Sequence, residues 1–271
     1  MEIISIGNEL LIGKTLNTNA TWLAKRVTSL GLTVKRITVI GDDVDEIAGT
    51  LQEALHRKPS FIITTGGLGP TFDDKTLAGI AKGLNRRLEV NGKALKMVRK
   101  KYEAYLKVGR IKGVELTQPR VKMATLPEET KPVPNPVGTA PGVMAKVKGT
   151  CIIALPGVPP EMKAIFNESL AEVVKKEAGK SAFFEKSIYA DGLMESNLAP
   201  LIDKVMHNNP YVYVKSHVYT ESPVRVEGQK SHIELHLSTT ADDPETARIH
   251  LDAAVSHLSE LVRKNGGRIR K

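Results

Sequence analysis

The first 65 residues constrain the architecture more tightly than anything after them. Three apolar runs, EIISI at 2–6, LTVKRITVI at 32–40 and SFII at 60–63, are separated by two stretches with helical periodicity. In the first stretch Ala20, Leu23, Ala24, Val27 and Leu30 share one helical face, and Gly31 supplies a stop. In the second, Ile47, Leu51, Ala54 and Leu55 form the apolar stripe, while Asp43 is placed to cap with Glu46 as its capping-box partner. Phe61-Ile62-Ile63 is unbroken in its hydrophobicity, as a strand covered on both faces is. Strand, helix, strand, helix, strand at this spacing predicts an α/β sandwich around a mostly parallel sheet. Ligands of such sheets sit beyond the carboxyl ends of the strands. Gly7 ends the first strand, Gly41-Asp42-Asp43 the second, and the third runs into TTGGLGPTFDDKT at 64–76. Three loops are therefore expected on one edge.

Further on, 143–147 and 151–155 read as paired strands around Lys148-Gly149. Pro159 or Pro160 suits the first turn of a helix. Met162, Ile165, Phe166, Leu170, Val173 and Val174 make that helix amphipathic. EAGKSA at 177–182 reads as a linker. Beyond it the pattern becomes strand 184–189, helix 195–207, strand 211–215, strand 232–238 and helix 244–264, a βαββα unit of α+β type. The expected domains are 1–178 and 179–271.

Composition narrows the function. Aromatic residues make up only 4%, which argues against a base-stacking surface for single-stranded nucleic acid. No apolar run approaches the ~20 residues of a membrane span, and no basic leader precedes the first strand. The single cysteine, Cys151, cannot form an internal disulfide, and a cytoplasmic protein is expected. The net charge of +9 is concentrated at 86–112, which holds ten Lys or Arg against Glu89 and Glu103. That run is a solvated helix face, a wall that attracts phosphates, or a nucleic-acid surface.

The glycines of 64–76 can expose successive backbone N–H groups as an anion-binding concavity, at the start of a helix whose dipole favours an anion. Asp73-Asp74 is the puzzle within it. Capping needs one aspartate, and a carboxylate beside a phosphate repels it unless a divalent cation lies between them. The run is neither a Walker loop nor a dinucleotide GxGxxG. Asp42 is left over once Asp43 caps, and it can join Asp74 around such a cation. Glu9 is a metal ligand or a partner for Lys14, and the polar set Asn8, Asn17, Thr18 and Asn19 includes helix caps or site residues. NPVGTAPG (135–142) and LPGVPPEM (155–162) are rigid loops on their own letters. His232, Glu234 and His236 share a strand face, where alternation can hold zinc but a polar outer surface explains the same letters. No serine, cysteine or histidine arrangement suggests a nucleophilic triad.

GNELLIGKTLNTN, VIGDD, TTGGLGPTFDDKT, NPVGTAPG and LPGVPPEM, in this order across residues 1–175, resemble the competence/damage-inducible CinA-type proteins. The resemblance implies a three-layer α/β/α domain of molybdopterin-binding type followed by a KH-like module, and a homo-oligomer. It also implies hydrolysis, dependent on Mg, Mn, Co or Ni, of ADP-ribose or a related dinucleotide such as FAD. The alternative it carries is molybdopterin binding or adenylyl transfer in molybdenum-cofactor synthesis; RNA binding ranks lower, since the KH-like part has no GxxG loop. By position, Asp74 and Asp42 would hold the metal; the residues themselves add Asp73 and Glu9 as further catalytic carboxylates. Gly66, Gly67, Leu68, Gly69, Thr71, Asn8, Asn19, Gly138, Thr139 and Gly142 would bind nucleotide and phosphate. The chain departs from the pterin enzymes' TGGTG loop with Thr65-Gly66-Gly67-Leu68-Gly69, and has Met123 where glutamine is expected. Many relatives carry a C-terminal amidohydrolase, and the chain ends at Lys271 before one, so that activity is not expected.

Overall fold

The computed structural model describes residues 1–219 and 232–270. Two units divide them, Met1–Val27 with Leu32–Glu177, and Thr28–Gly31 with the residues from Ala178 onward. The first contains β1 (Glu2–Ile6), α1 (Asn8–Leu11), α2 (Thr18–Ser29), β2 (Arg36–Ile40), α3 (Val44–His56), β3 (Phe61–Thr65) and α4 (Thr76–Gly83). It continues through β4 (Leu88–Val90), α5 (Gly92–Lys107), α6 (Gln118–Lys122), β5 (Thr125–Pro127), β6 (Lys131–Val133), β7 (Gly142–Val147), β8 (Thr150–Leu155), α7 (Pro159–Ile165) and α8 (Ala171–Ala178). A π-helical turn, Phe166–Leu170, joins α7 to α8.

The main sheet runs β2-β1-β3-β8-β7-β6. β2, β1, β3 and β8 are mutually parallel, and β7 and β6 are added antiparallel. Successive strand residues face opposite sides. Ile4, Ile6, Ile62 and Ile152 share a core with Ile47, Leu51, Ile80, Ala94 and Val98 of α3, α4 and α5. Ile3, Ile63 and Ile153 are equally buried on the other side, where Ile165 of α7 lies over Gly142. On α2, Trp22 meets Phe166 edge-on with ring centroids 5.7 Å apart. This is a three-layer α/β/α sandwich. Each buried isoleucine contributes about 1.5–3 kcal/mol.

Three features differ from the sequence reading. The second strand is shorter than 32–40, because β2 is an edge strand paired only with β1. Glu46 does not close a capping box: its carboxylate accepts from Gly41 N–H at 3.1 Å, while Asp43 alone caps α3 through the N–H groups of Asp45 and Glu46. The basic run becomes β4 and α5, and α5 buries Ala94 and Val98 while most of its cations face solvent.

The second unit contains β9 (Ala182–Asp191), α9 (Glu195–Asn208), β10 (Val212–Tyr219), β11 (His232–Ala241), α10 (Pro244–Lys264) and β12 (Arg268–Arg270). Its sheet, β10-β11-β9-β12, is antiparallel throughout, and β12 is an addition to the expected βαββα pattern. Ile188, Ala190, Val214, Ile233, Leu235 and Leu237 pack against Leu198, Ile202, Leu251 and Leu258 of α9 and α10. Among the described residues no helix is long and apolar enough to cross a membrane.

Candidate active site

The strip that follows β3 is shaped by two glycines that no other residue can replace without strain. Gly66 has φ 106, and a Cβ there would lie 2.1 Å from the Ile6 carbonyl oxygen. Gly67 has φ 64, and a Cβ there would lie 2.3 Å from Thr76 Oγ1. Left-handed backbone of this kind is open to glycine at little cost. Thr76 donates from Oγ1 to the Gly66 carbonyl at 2.8 Å and from its N–H to Gly67 O at 3.2 Å, which ties the strip to the start of α4. Gly66 N–H is spent on Leu155 O at 3.0 Å, so it cannot also receive a phosphate. The N–H groups of Gly67, Leu68 and Gly69 have no acceptor among the described residues.

Asp73 and Asp74 do not cap the following helix. Lys75 occupies the cap position of α4, with no side-chain hydrogen bond to it. Both carboxylates turn instead to Thr71. Its N–H donates to Asp74 Oδ2 at 2.8 Å, and its hydroxyl reaches Asp74 Oδ2 at 2.6 Å and Asp73 Oδ1. One hydroxyl carries one proton, so it serves a single carboxylate at a time. The Thr71 hydrogen bond, followed by Asp73's own backbone N–H, holds the Asp73 carboxyl below its ordinary range against a small opposing effect of desolvation; Lys122 and Lys75 add to the lowering. Asp74 lies against Gly69, where a Cβ would come within 2.6 Å of Oδ2.

The loops after β1 and β2 interlock. Asn8 N–H donates to Asp42 Oδ2 at 2.9 Å, and Asp42 N–H donates to Asn8 Oδ1 at 3.2 Å. Glu9 folds its carboxylate back over Gly7. Among the described residues no ion pair joins Glu9 to Lys14. On the opposite side, buried Asn135 organises the loop before β7. Its Oδ1 accepts from Val137 N at 3.1 Å and Gly138 N at 2.8 Å, and its Nδ2 donates to Ala140 O at 2.8 Å and Glu161 Oε2 at 2.7 Å.

These segments enclose a cleft of about 320 Å³ at the carboxyl edge of the parallel strands. Glu9, Asp42, Asp73 and Asp74 line it, together with Gly66, Gly67, Leu68, Gly69 and Thr139. Asn8, Asn19, Thr71, Gly138 and Gly142 are not part of its wall. Asn8 and Thr71 position the aspartates, as described above. Asn19 donates from Nδ2 to Gly157 O at 2.7 Å, while its Oδ1 is buried with no partner among the described residues. Gly138 makes room for the Glu161 carboxylate, and Gly142 lies in β7 beneath Ile165. The structure adds Glu161 and Met123, which the sequence reading did not place in the site. Thr139 Oγ1 lies 3.6 Å from Met123 Sδ. The signal for Glu161 was present in the double proline that opens α7, which sets this glutamate in the first helical turn.

Five carboxylates thus line the cleft with no lysine or arginine among the described residues, and Lys122 Nζ donates to Thr71 O beside it. Among the described residues no three His, Cys, Asp or Glu side chains are grouped closely enough to hold a metal ion by themselves. The donors are hard oxygens, so the set suits a cation of the Mg²⁺ kind held by one or two carboxylates and completed by ligand oxygens and water. The His232–Glu234–His236 face is a polar surface: His232 Nδ1 lies 2.6 Å from Asp191 Oδ1, and His236 Nε2 lies 2.9 Å from Glu185 Oε2.

Comparison with known proteins places this geometry. Residues 2–176 match the family described as "Probable molybdopterin binding domain". The crystal structure of the protein CinA from Thermoplasma acidophilum is 40% identical and superposes with a TM-score of 0.56, covering 65% of this chain and 97% of that one. The chain belongs to this family as a CinA-type member. A protein of Pyrobaculum calidifontis is 42% identical over 96% of this CinA-type chain and 95% of its own length. One from Caldivirga maquilingensis is 43% identical over 94% of each.

Proposed function

We propose that this CinA-type protein hydrolyses a nucleoside diphosphate-linked compound, such as ADP-ribose or FAD, with a divalent cation. The observation that carries the reading is the juxtaposition of five carboxylates with three unspent backbone N–H groups in one cleft. Those N–H groups suit phosphate oxygens, but the carboxylates repel a phosphate that arrives without a counter-ion. Asp74 and Asp42 are the first candidates to hold the ion, with Asp73 and Glu9 beside them. When bound, the cation supplies charge neutralisation for the diphosphate and acidifies a water molecule. Gly67, Leu68 and Gly69 orient the phosphate, Thr71 fixes Asp74, and Asn8 fixes Asp42.

Incubation with ADP-ribose, FAD or NAD and Mg²⁺, Mn²⁺, Co²⁺ or Ni²⁺, followed by separation of products, tests this. AMP and ribose 5-phosphate are expected from ADP-ribose, and EDTA abolishes their formation. Intact substrates under every metal overturn the reading. A second reading, molybdopterin binding or adenylyl transfer to a pterin, is supported by the family match over residues 2–176. It predicts pterin fluorescence that copurifies with the protein.

A further inference from the structure

A second cavity of about 360 Å³ adjoins the acidic cleft and shares four wall residues with it, Gly67, Leu68, Gly69 and Asp74. Its character is different. Leu77 and Ala78 of α4, Leu88 of β4, Leu116 and Val121 give it apolar walls, and its polar side chains are Gln118, Thr125, the Asp74 it shares with the cleft, and Lys122, whose Nζ donates to Thr71 O. Small-molecule pockets of roughly 300–1,000 Å³ are lined mostly by apolar side chains with a small number of placed polar groups. The outer wall is held in place. Arg120 lies 3.7 Å over the Tyr102 ring and donates from Nη1 to Glu115 O at 2.7 Å and Gly113 O at 3.4 Å, which pins the segment carrying Leu116.

We infer that this cavity takes the purine ring of the ligand whose phosphates occupy the acidic cleft, an inference that rests on the reading above. The shared glycine strip divides the ligand, with its charged part on the carboxylate side and its ring on the leucine side. Gln118 can donate and accept side by side, which matches the edge of a purine.

Calorimetric titration with AMP and with ribose 5-phosphate, in the presence of Mg²⁺, separates the ring from the phosphate. The wild-type chain is expected to bind AMP about tenfold more tightly or better, the scale of burying part of a base against leucine and valine walls. Ala78→Phe fills the cavity from half-buried α4, Leu116→Asp charges its wall from a half-buried loop position, and thermal melting checks that both variants are folded. Either change is expected to bring AMP down to the affinity of ribose 5-phosphate. Equal affinities in the wild type, or variants that keep the preference, overturn the pocket. A wild type that prefers AMP but cleaves no diphosphate leaves the pocket standing and removes the hydrolysis. Cleavage with an unchanged preference in both variants does the reverse.

Discussion

Two polar surfaces of this molecule have similar letters and opposite organisation. On the open face of the second unit, polar side chains cancel one another. Arg270 reaches Asp191 Oδ2 at 2.7 Å beside His232, and His236 meets Glu185. Burial pushes the Asp191 carboxyl up, but the His232 and Arg270 contacts outweigh it and leave the group below its ordinary range. At the sheet edge of the first unit, five carboxylates line one cleft with no lysine or arginine on its wall, beside N–H donors that have no acceptor among the described residues. Folding alone does not favour that arrangement, because like charges gathered on one surface repel one another. Local strain and unbalanced charge persist where the surrounding structure over-determines them, which is the ordinary condition of a functional site.

The contrast is broken most severely at Asp74. Asp74→Asn keeps the shape and the Thr71 hydrogen bonds but removes one charge, and diphosphate cleavage is expected to fall at least about 10²-fold. Glu234→Gln makes the same chemical change on the open face of the second unit and is expected to leave cleavage within about twofold. Thermal melting should show both variants folded. An Asp74→Asn protein with wild-type turnover would remove the acidic cleft from the mechanism.

A smaller effect separates two glycines of equal backbone type. Gly66 and Gly266 have φ 106 and φ 83, but a Cβ at Gly66 meets the Ile6 carbonyl at 2.1 Å, whereas nothing lies within 4 Å of one at Gly266. Gly266→Ala carries only the left-handed penalty, about 1–2 kcal/mol. Gly66→Ala adds displacement of β1 from β3 and is expected to cost about 3 kcal/mol or more in denaturant unfolding. Equal losses would mean that the strip is not held by close backbone approach.

These differences explain what could be seen in the sequence. Helical periodicity around Ala20 and Leu51 and the glycine-ended strands were local signals, and they located the sheet edge and the loops gathered on it. The adjacent aspartates were conspicuous because one cap cannot occupy both, and the structure shows that neither caps. What stayed hidden was non-local. The double proline placed Glu161 in the first turn of α7, but that its carboxylate is gripped by Asn135, 26 residues earlier, had no local sign. Gly66 resembles its neighbours in sequence, yet its N–H is consumed by Leu155, on a strand some ninety residues away. The β2-β1-β3-β8-β7-β6 order and the apolar cavity under Leu116 likewise depend on pairings that no periodicity encodes.

The smallest expected effect concerns a feature the two units share. Asp43 caps α3 by accepting from Asp45 and Glu46, and Asp243 caps α10 by accepting from Thr246 N at 2.8 Å. Backbone N–H donors, Glu46 first for Asp43 and Thr246 first for Asp243, hold both carboxyls below their ordinary range. A folded value below the unfolded one gives stability that is present above the unfolded value, about pH 4, and lost as pH falls through the folded one. Asp43→Ala and Asp243→Ala are each expected to lower Tm by about 2–4 °C at pH 7. The loss should shrink when melting is repeated below about pH 4. Asp43→Asn, which can still accept both bonds, should recover most of the loss at pH 7 without its acid dependence. Similar behaviour of the two aspartates would show that they are caps of one kind, leaving Asp42, Asp73 and Asp74 as the carboxylates that helix capping does not explain. A cleavage defect in Asp43→Ala larger than its stability loss would instead draw Asp43 into the site and weaken the distinction between the paired and the unpaired surfaces.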